Sequence, residues 1–251
     1  MIRALLLFVL FALPVQAEQI VAGLSQTEVS INANFNGSDI IIYGAVKRDA
    51  PAPKTPRLEV IVTVEGPASP LIMRKKARRA GIWVNSEAMQ IDLAPSFYAV
   101  ATTGPLPEVM SDEDNLQYEI TIPRAIRAAG LASGSADTAA YIAALLRIRE
   151  DEGLFLLSEG SVELSEGTLF RTDVLLPSNL VEGDYRVRMY ITRGGKVLDT
   201  QDQVILVQKT GVERFINRLA KDQPLIYGLL SLAMAVAAGW GASALFRMFR
   251  T

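Results

Sequence analysis

Apolar residues along this chain recur in three rhythms, and each rhythm predicts a different kind of element. A period of two comes first: Val29, Ile31, Ala33 and Phe35 alternate with Ser30, Asn32 and Asn34, the pattern of a strand with one buried face. Asn36-Gly37 then supplies the positive-φ residues of a tight hairpin turn leading into Ile40-Ile41-Ile42-Tyr43. Leu58, Val60, Val62 and Val64 mark a third strand ending at Gly66-Pro67, and Pro51, Pro53 and Pro56 place an ordered loop before it. Residues 117–122 and 168–176 are strand-like, and Gly183-Asp184-Tyr185 opens an alternating run through Val187, Met189 and Ile191. Gly194-Gly195 turns the chain, and residues 197–207 return as the last strand.

The second rhythm is helical. Asp137 is placed to cap a helix whose Tyr141, Ile142, Leu145, Leu146 and Arg149 share one face, with Ala139, Ala140, Ala143 and Ala144 favouring the helical state. Further on, Val212, Phe215, Ile216 and Leu219 recur at i, i+3, i+4 and i+7. They predict an amphipathic helix over 209–224 that either lies along lipid headgroups or continues as a stalk, with Pro224 starting the next helix.

The third rhythm is unbroken apolarity, and it occurs at both ends. Leu225–Phe246 runs 22 residues without a charge, long enough at 1.5 Å per residue to cross a hydrocarbon layer of about 30 Å. Within it Gly228, Ser231, Ala235, Gly239 and Ala242 follow at steps of three and four, a stripe of small side chains suited to packing against another membrane helix. At the other end Arg3 precedes the apolar run Ala4–Leu13, Pro14 and the small-residue pattern Val15-Gln16-Ala17. The run is too short to span a bilayer and reads as an export signal, residues 1–17, cleaved after Ala17.

These elements predict a mainly-β fold: an immunoglobulin-like β-sandwich over residues 18–208, closed by pairing of early with late strands and carrying a helical insertion at about 124–150. Tyr185, shortly after Leu180 and Gly183, has the placement of the tyrosine corner in such sandwiches. Two small domains meeting near Gly130–Gly134 are the alternative. The single transmembrane helix 225–246 would leave residues 247–251 as a short tail, and Arg247 and Arg250 there put the tail in the cytoplasm and the domain in the periplasm of a bacterial inner membrane.

Charge and composition then narrow the chemistry. The net charge of the 251 residues is -2, but residues 18–208 hold 18 Lys and Arg against 25 Asp and Glu, so the main domain is acidic and unsuited to nucleic acid. The chain has no Cys and no His, which removes thiol nucleophiles, disulfides, Ser-His-Asp triads and the commonest metal ligands. No phosphate-binding loop or nucleophile elbow is present, no cofactor is expected, and the expected activity is not enzymatic.

Against the acidic background Arg74, Lys75, Lys76, Arg78 and Arg79 put five positive charges within six residues. Such a run suits an anion, a headgroup or an acidic partner; it equally suits a solvated edge strand guarded against aggregation. Trp83, flanked by Ile82 and Val84, is expected in the core, with a ligand platform as its other use. Glu108, Asp112, Glu113 and Asp114 form an expected acidic loop without the spacing of a calcium-binding hand.

The segments Phe35-Asn36-Gly37, Gly66-Pro67, Gly81-Ile82-Trp83-Val84-Asn85, Gly183-Asp184-Tyr185, Tyr227-Gly228 and Gly239-Trp240 together resemble the alphaproteobacterial putative transmembrane protein family (Alph_Pro_TM). That resemblance covers nearly the whole exported chain and implies export and membrane anchoring. It carries no catalytic residues, and it implies a sulfite-exporter-like (TauE/SafE) permease as a partner. The resulting expectation is an anchored accessory protein, with an anchored binder of small anions at Arg74–Arg79 as the alternative, and a carboxylate-based hydrolase as a third reading.

Overall fold

The structure, a computed structural model, describes residues 18–32, 35–48, 51, 53, 55–128, 136–209, 216 and 219–248, with backbone alone at 127–128, 136–137 and 244–248. Two compact units divide the chain: Met1–Val29 with Asn36–Val207, and Ser30–Phe35 with Gln208–Thr251. The expected export signal lies outside the described residues, as do Val212 and Phe215 of the expected amphipathic helix. Ile216 and residues 219–222 are helical.

The mainly-β class holds, in three sheets. The first has the order β1-β3-β11-β10, built from β1 (Gln19–Leu24), β3 (Ser38–Lys47), β11 (Leu169–Leu176) and β10 (Glu163–Ser165), all antiparallel. The second is β2-β13-β12-β4-β7-β9, from β2 (Glu28–Ile31), β13 (Lys196–Lys209), β12 (Gly183–Arg193), β4 (Leu58–Glu65), β7 (Tyr98–Thr102) and β9 (Phe155–Ser158). Its β7 and β9 run parallel, whereas β13, β12, β4 and β7 pair antiparallel. The third is β5-β6-β8, from β5 (Ala68–Arg79), β6 (Ile82–Pro95) and the short β8 (Arg127–Ala128). Early strands pair with late ones, β3 with β11 and β4 with β12.

Burial follows from which faces are covered. On β11, Phe170, Thr172, Val174 and Leu176 are buried while the alternate residues are exposed, as expected of a strand with one wet face. On β4, every residue from Val60 to Val64 is buried. Both faces of that strand are covered because the inserted helices pack behind the sheet: Leu106–Val109 touches β4, Ile122–Ala125 touches β7 and Ala136–Asp151 touches β9. Hydrogen bonds fasten this layer, with the Thr192 hydroxyl donating to Val109 O at 2.6 Å and the Tyr98 hydroxyl to Ile120 O at 2.9 Å.

Several local expectations held. The helix runs Ala136–Asp151 with Leu145 buried, though the Asp137 side chain lies outside the described residues. The Tyr185 hydroxyl donates to Val181 O at 2.9 Å, four residues upstream, as a tyrosine corner requires. Beyond this corner the immunoglobulin-like label is not confirmed, the fold also holding a parallel β7–β9 pair and a third sheet.

Other expectations need correction. Gly37 has the positive φ of 113°, but the strands around it do not form a hairpin: β2 joins the second sheet and β3 the first. Residues 117–122 are not a strand. Ser111 accepts the Asp114 amide at 3.2 Å and caps the helix Asp112–Tyr118, whose first turn carries Asp112, Glu113 and Asp114, so cap and acidic turn together favour the helix. The expected acidic loop is thus largely helical, with the Asp114 carboxylate accepting the Val197 amide at 2.6 Å. Among the described residues no group of three His, Cys, Asp or Glu is arranged to hold a metal ion.

Candidate functional site

The basic run lies on β5, at the edge of the third sheet, and its geometry follows from the β5–β6 register. Arg78 stands opposite Trp83, Arg79 opposite Ile82 and Lys76 opposite Asn85. Ala80 and Gly81 close the turn with φ of 49° and 86°, the doubly positive pair that matches strand twist in a two-residue hairpin. Near the base of the hairpin Met89, Ile91 and Ala94 are buried. From residue 74 to residue 88 none is buried; the helix Ala136–Asp151 reaches the inner part of this stretch, its Tyr141 hydroxyl lying 3.5 Å from the Glu87 carboxylate, and the part beyond it projects for about 15 Å at 3.4 Å per residue.

Trp83 therefore departs from expectation. It is 68% exposed, beside Ile82 at 64%, because it sits beyond the last position where another element covers the hairpin. Strand alternation puts Arg74, Lys76 and Arg78 on one face with Trp83, and Lys75 and Arg79 on the other. Lys75 pairs with Glu87 at 3.5 Å, both side chains being more than half exposed, a contact worth little in water. The five cations spread over two faces and around a tip; they do not converge on one point.

The second feature is the span helix, Pro224–Met248. Its stretch Pro224–Ser243 is long and apolar enough to cross a membrane, and none of it is buried within the chain. Gly228, Ser231, Ala235, Gly239 and Ala242 fall within an arc of about 80° at 3.6 residues per turn. A Cβ built on Gly228 or Gly239 meets nothing within 4 Å, so among the described residues no contact asks for glycine at either position.

A third feature was not visible in the sequence. A cleft of about 430 Å³ is lined by Glu65, Glu119, Asp184, Arg186 and Arg188 among others. The Arg188 guanidinium reaches Glu65 at 3.3 Å and Tyr118 O at 3.3 Å, and lies 6.0 Å from the centre of the Tyr190 ring. Burial disfavours its charge, but the neighbouring Tyr190, Tyr98 and Glu65 oxygens more than reverse that effect. Burial raises the Tyr98 phenol, and raises that of Tyr190 to about 12, so both stay protonated at neutral pH. Alternation alone marks Arg188 as a surface residue of β12; only the helix ending at Tyr118 encloses it. With Glu65 committed to Arg188 and the wall carrying both signs, the cleft has the makings of a structural ion pair beside water.

With anchor helix, β-rich domain and hairpin described, the chain can be compared with known proteins. It matches the family described as "Putative transmembrane protein (Alph_Pro_TM)" over residues 19–248. The chain belongs to this family. The match takes in both the sheets and the span helix, so the Alph_Pro_TM chain is one arrangement of β-rich domain followed by apolar helix. No curated protein matches it.

Proposed function

We propose that this Alph_Pro_TM protein is a membrane-anchored accessory protein that acts by contact and not by catalysis, its span helix docking on a membrane-protein partner. The observation that carries the reading is the small-residue stripe of Gly228, Ser231, Ala235, Gly239 and Ala242, with both glycines opening on empty space. In lipid, apolar surface alone gives helices no reason to associate, whereas small side chains let two backbones approach. A transporter of the sulfite-exporter type is the partner this reading names.

The same reading places the protein in a bacterial inner membrane, the β-rich domain in the periplasm and the tail in the cytoplasm. The arginines at 247 and 250 favour the cytoplasmic side. Glu18, the first residue after the signal cleavage expected at Ala17, is held by Arg48 at 2.5 Å and by Arg193 at 2.8 Å.

Copurification of the full chain in mild detergent tests the reading. It should retrieve a stoichiometric membrane protein, and the double substitution Ala235→Leu, Gly239→Leu should lower the recovered partner at least about tenfold by closing the approach. Recovery of the chain alone from several detergents would overturn it.

A further inference from the structure

We propose that the outer half of the β5–β6 hairpin is a lipid-contacting finger: Ile82 and Trp83 enter the headgroup layer of an anionic bilayer while Arg74, Lys75, Lys76, Arg78 and Arg79 meet its phosphates. Charge complementarity is the first ground. Residues 74–88 carry five cations against the single carboxylate of Glu87, whereas the rest of 18–208 carries 13 cations against 24 carboxylates. An acidic domain that confines its excess positive charge to one projection directs that projection toward a negatively charged surface and holds its remainder away from it.

The tip chemistry is the second ground. A solvated edge strand needs only its lysines and arginines to discourage pairing; it does not need a tryptophan 68% exposed beside an isoleucine 64% exposed. Tryptophan with flanking cations is the composition that settles at the boundary between acyl chains and headgroups, where the ring is half apolar and half polar. The doubly positive turn at Ala80-Gly81 holds the two side chains at the extremity without a flexible loop.

Shape is the third ground, and it separates a bilayer from an acidic protein. A stable protein interface takes about 20–30 residues a side, more than residues 74–88 supply, and it needs a partner surface shaped to the projection. A bilayer needs no such complementary shape. A free anion is disfavoured by the spread of the cations, since strand alternation turns Arg78 and Arg79 to opposite faces. The bilayer itself is at hand, because the chain belongs to a transmembrane family and carries its own span.

The test uses the full chain in lipid nanodiscs with Trp240→Phe, which leaves Trp83 as the sole tryptophan of the two. In discs containing phosphatidylglycerol, Trp83 emission should shift to shorter wavelength, and brominated acyl chains should quench it by about half, as befits a headgroup-level ring. Lys76→Glu with Arg78→Glu should cut that quenching at least about twofold, as should raising salt to 1 M. Because Lys76 and Arg78 are exposed and lie beyond the Tyr141 contact at Glu87, these variants should unfold at the parent temperature, and that measurement separates lost contact from lost folding. Water-like emission with no bromine quenching in anionic discs would overturn the proposal. So would a full shift produced by inorganic phosphate in phosphatidylcholine discs, which would assign the site to a free anion. The finger needs no protein partner in the membrane, so this experiment and the copurification can fail separately.

Discussion

Two hairpins of this chain are closed by the same local device and end in opposite surroundings. β12 and β13 turn through Gly194-Gly195 with φ of 59° and 80°, β5 and β6 through Ala80-Gly81 with φ of 49° and 86°. The first tip is locked into the domain: Gly195 O accepts the Ser111 amide at 2.7 Å, and the strand leading to it buries Val187, Met189 and Ile191. The second tip has open space around Gly81 out to 4 Å. Turn chemistry decides that a hairpin forms. Whether its end becomes core or projection depends on which other elements close over it.

That contrast can be broken by substitution, beginning where the effect is largest. Met189→Ala, at a fully buried position of β12, should cost about 3 kcal/mol, whereas Trp83→Ala should stay within about 0.5 kcal/mol despite removing the larger side chain. Thermal unfolding of the full chain in detergent measures both; a cost at Trp83 comparable with that at Met189 would mean that the outer hairpin is packed after all.

Next comes the ion pair that ties the end of β12 to the start of the domain. Arg193 and Arg48 both bind Glu18. Burial by itself would raise the Glu18 pKa, yet the hydrogen bonds from Arg193 and Arg48 and their charges outweigh it and hold the carboxyl below its ordinary value. A lowered folded pKa stabilises above the unfolded value of about 4.3 and loses that contribution as pH falls through the folded one. Glu18→Gln should therefore cost about 2 kcal/mol at pH 7, and the difference from the parent should shrink below about pH 4. A gap that persists unchanged at pH 3 would show that the loss is steric and not electrostatic.

The smallest effect compares the two turns directly. Gly81→Ala and Gly195→Ala both force alanine to positive φ, at about 1 kcal/mol. Gly195→Ala should cost about 1 kcal/mol more, because its Cβ would stand 3.2 Å from the Ser111 nitrogen. Equal midpoints for the two variants would remove the distinction between locked and free tips.

Much of the fold was legible because its determinants are local. The alternation Tyr185, Val187, Met189 reports one buried face, Gly194-Gly195 reports a turn, and the uncharged run from Leu225 reports a membrane helix whatever surrounds it. The stretch around Gln117 was misread because its apolar residues suit a strand as well as a helix, and the deciding signal was a cap six residues earlier, at Ser111. Trp83 was misread for a different reason: a large apolar residue between Ile82 and Val84 looks the same on a covered strand as on a bare one. The basic run was visible at once, since charge density needs no fold to be seen, but its division between two faces required the register of β5 against β6.

Taken alone, the amino-acid order determined the membrane anchor, the β-rich class, the helix near residue 140 and the location of the charge excess. Each depends on the spacing of residues within a few turns or along one strand. Tertiary structure decided which strands share a sheet, that β4 is covered on both sides, that Arg188 is enclosed and that Trp83 is not. Those outcomes depend on contacts between segments far apart in the chain, and burial belongs to whatever lies opposite a side chain and not to the side chain itself.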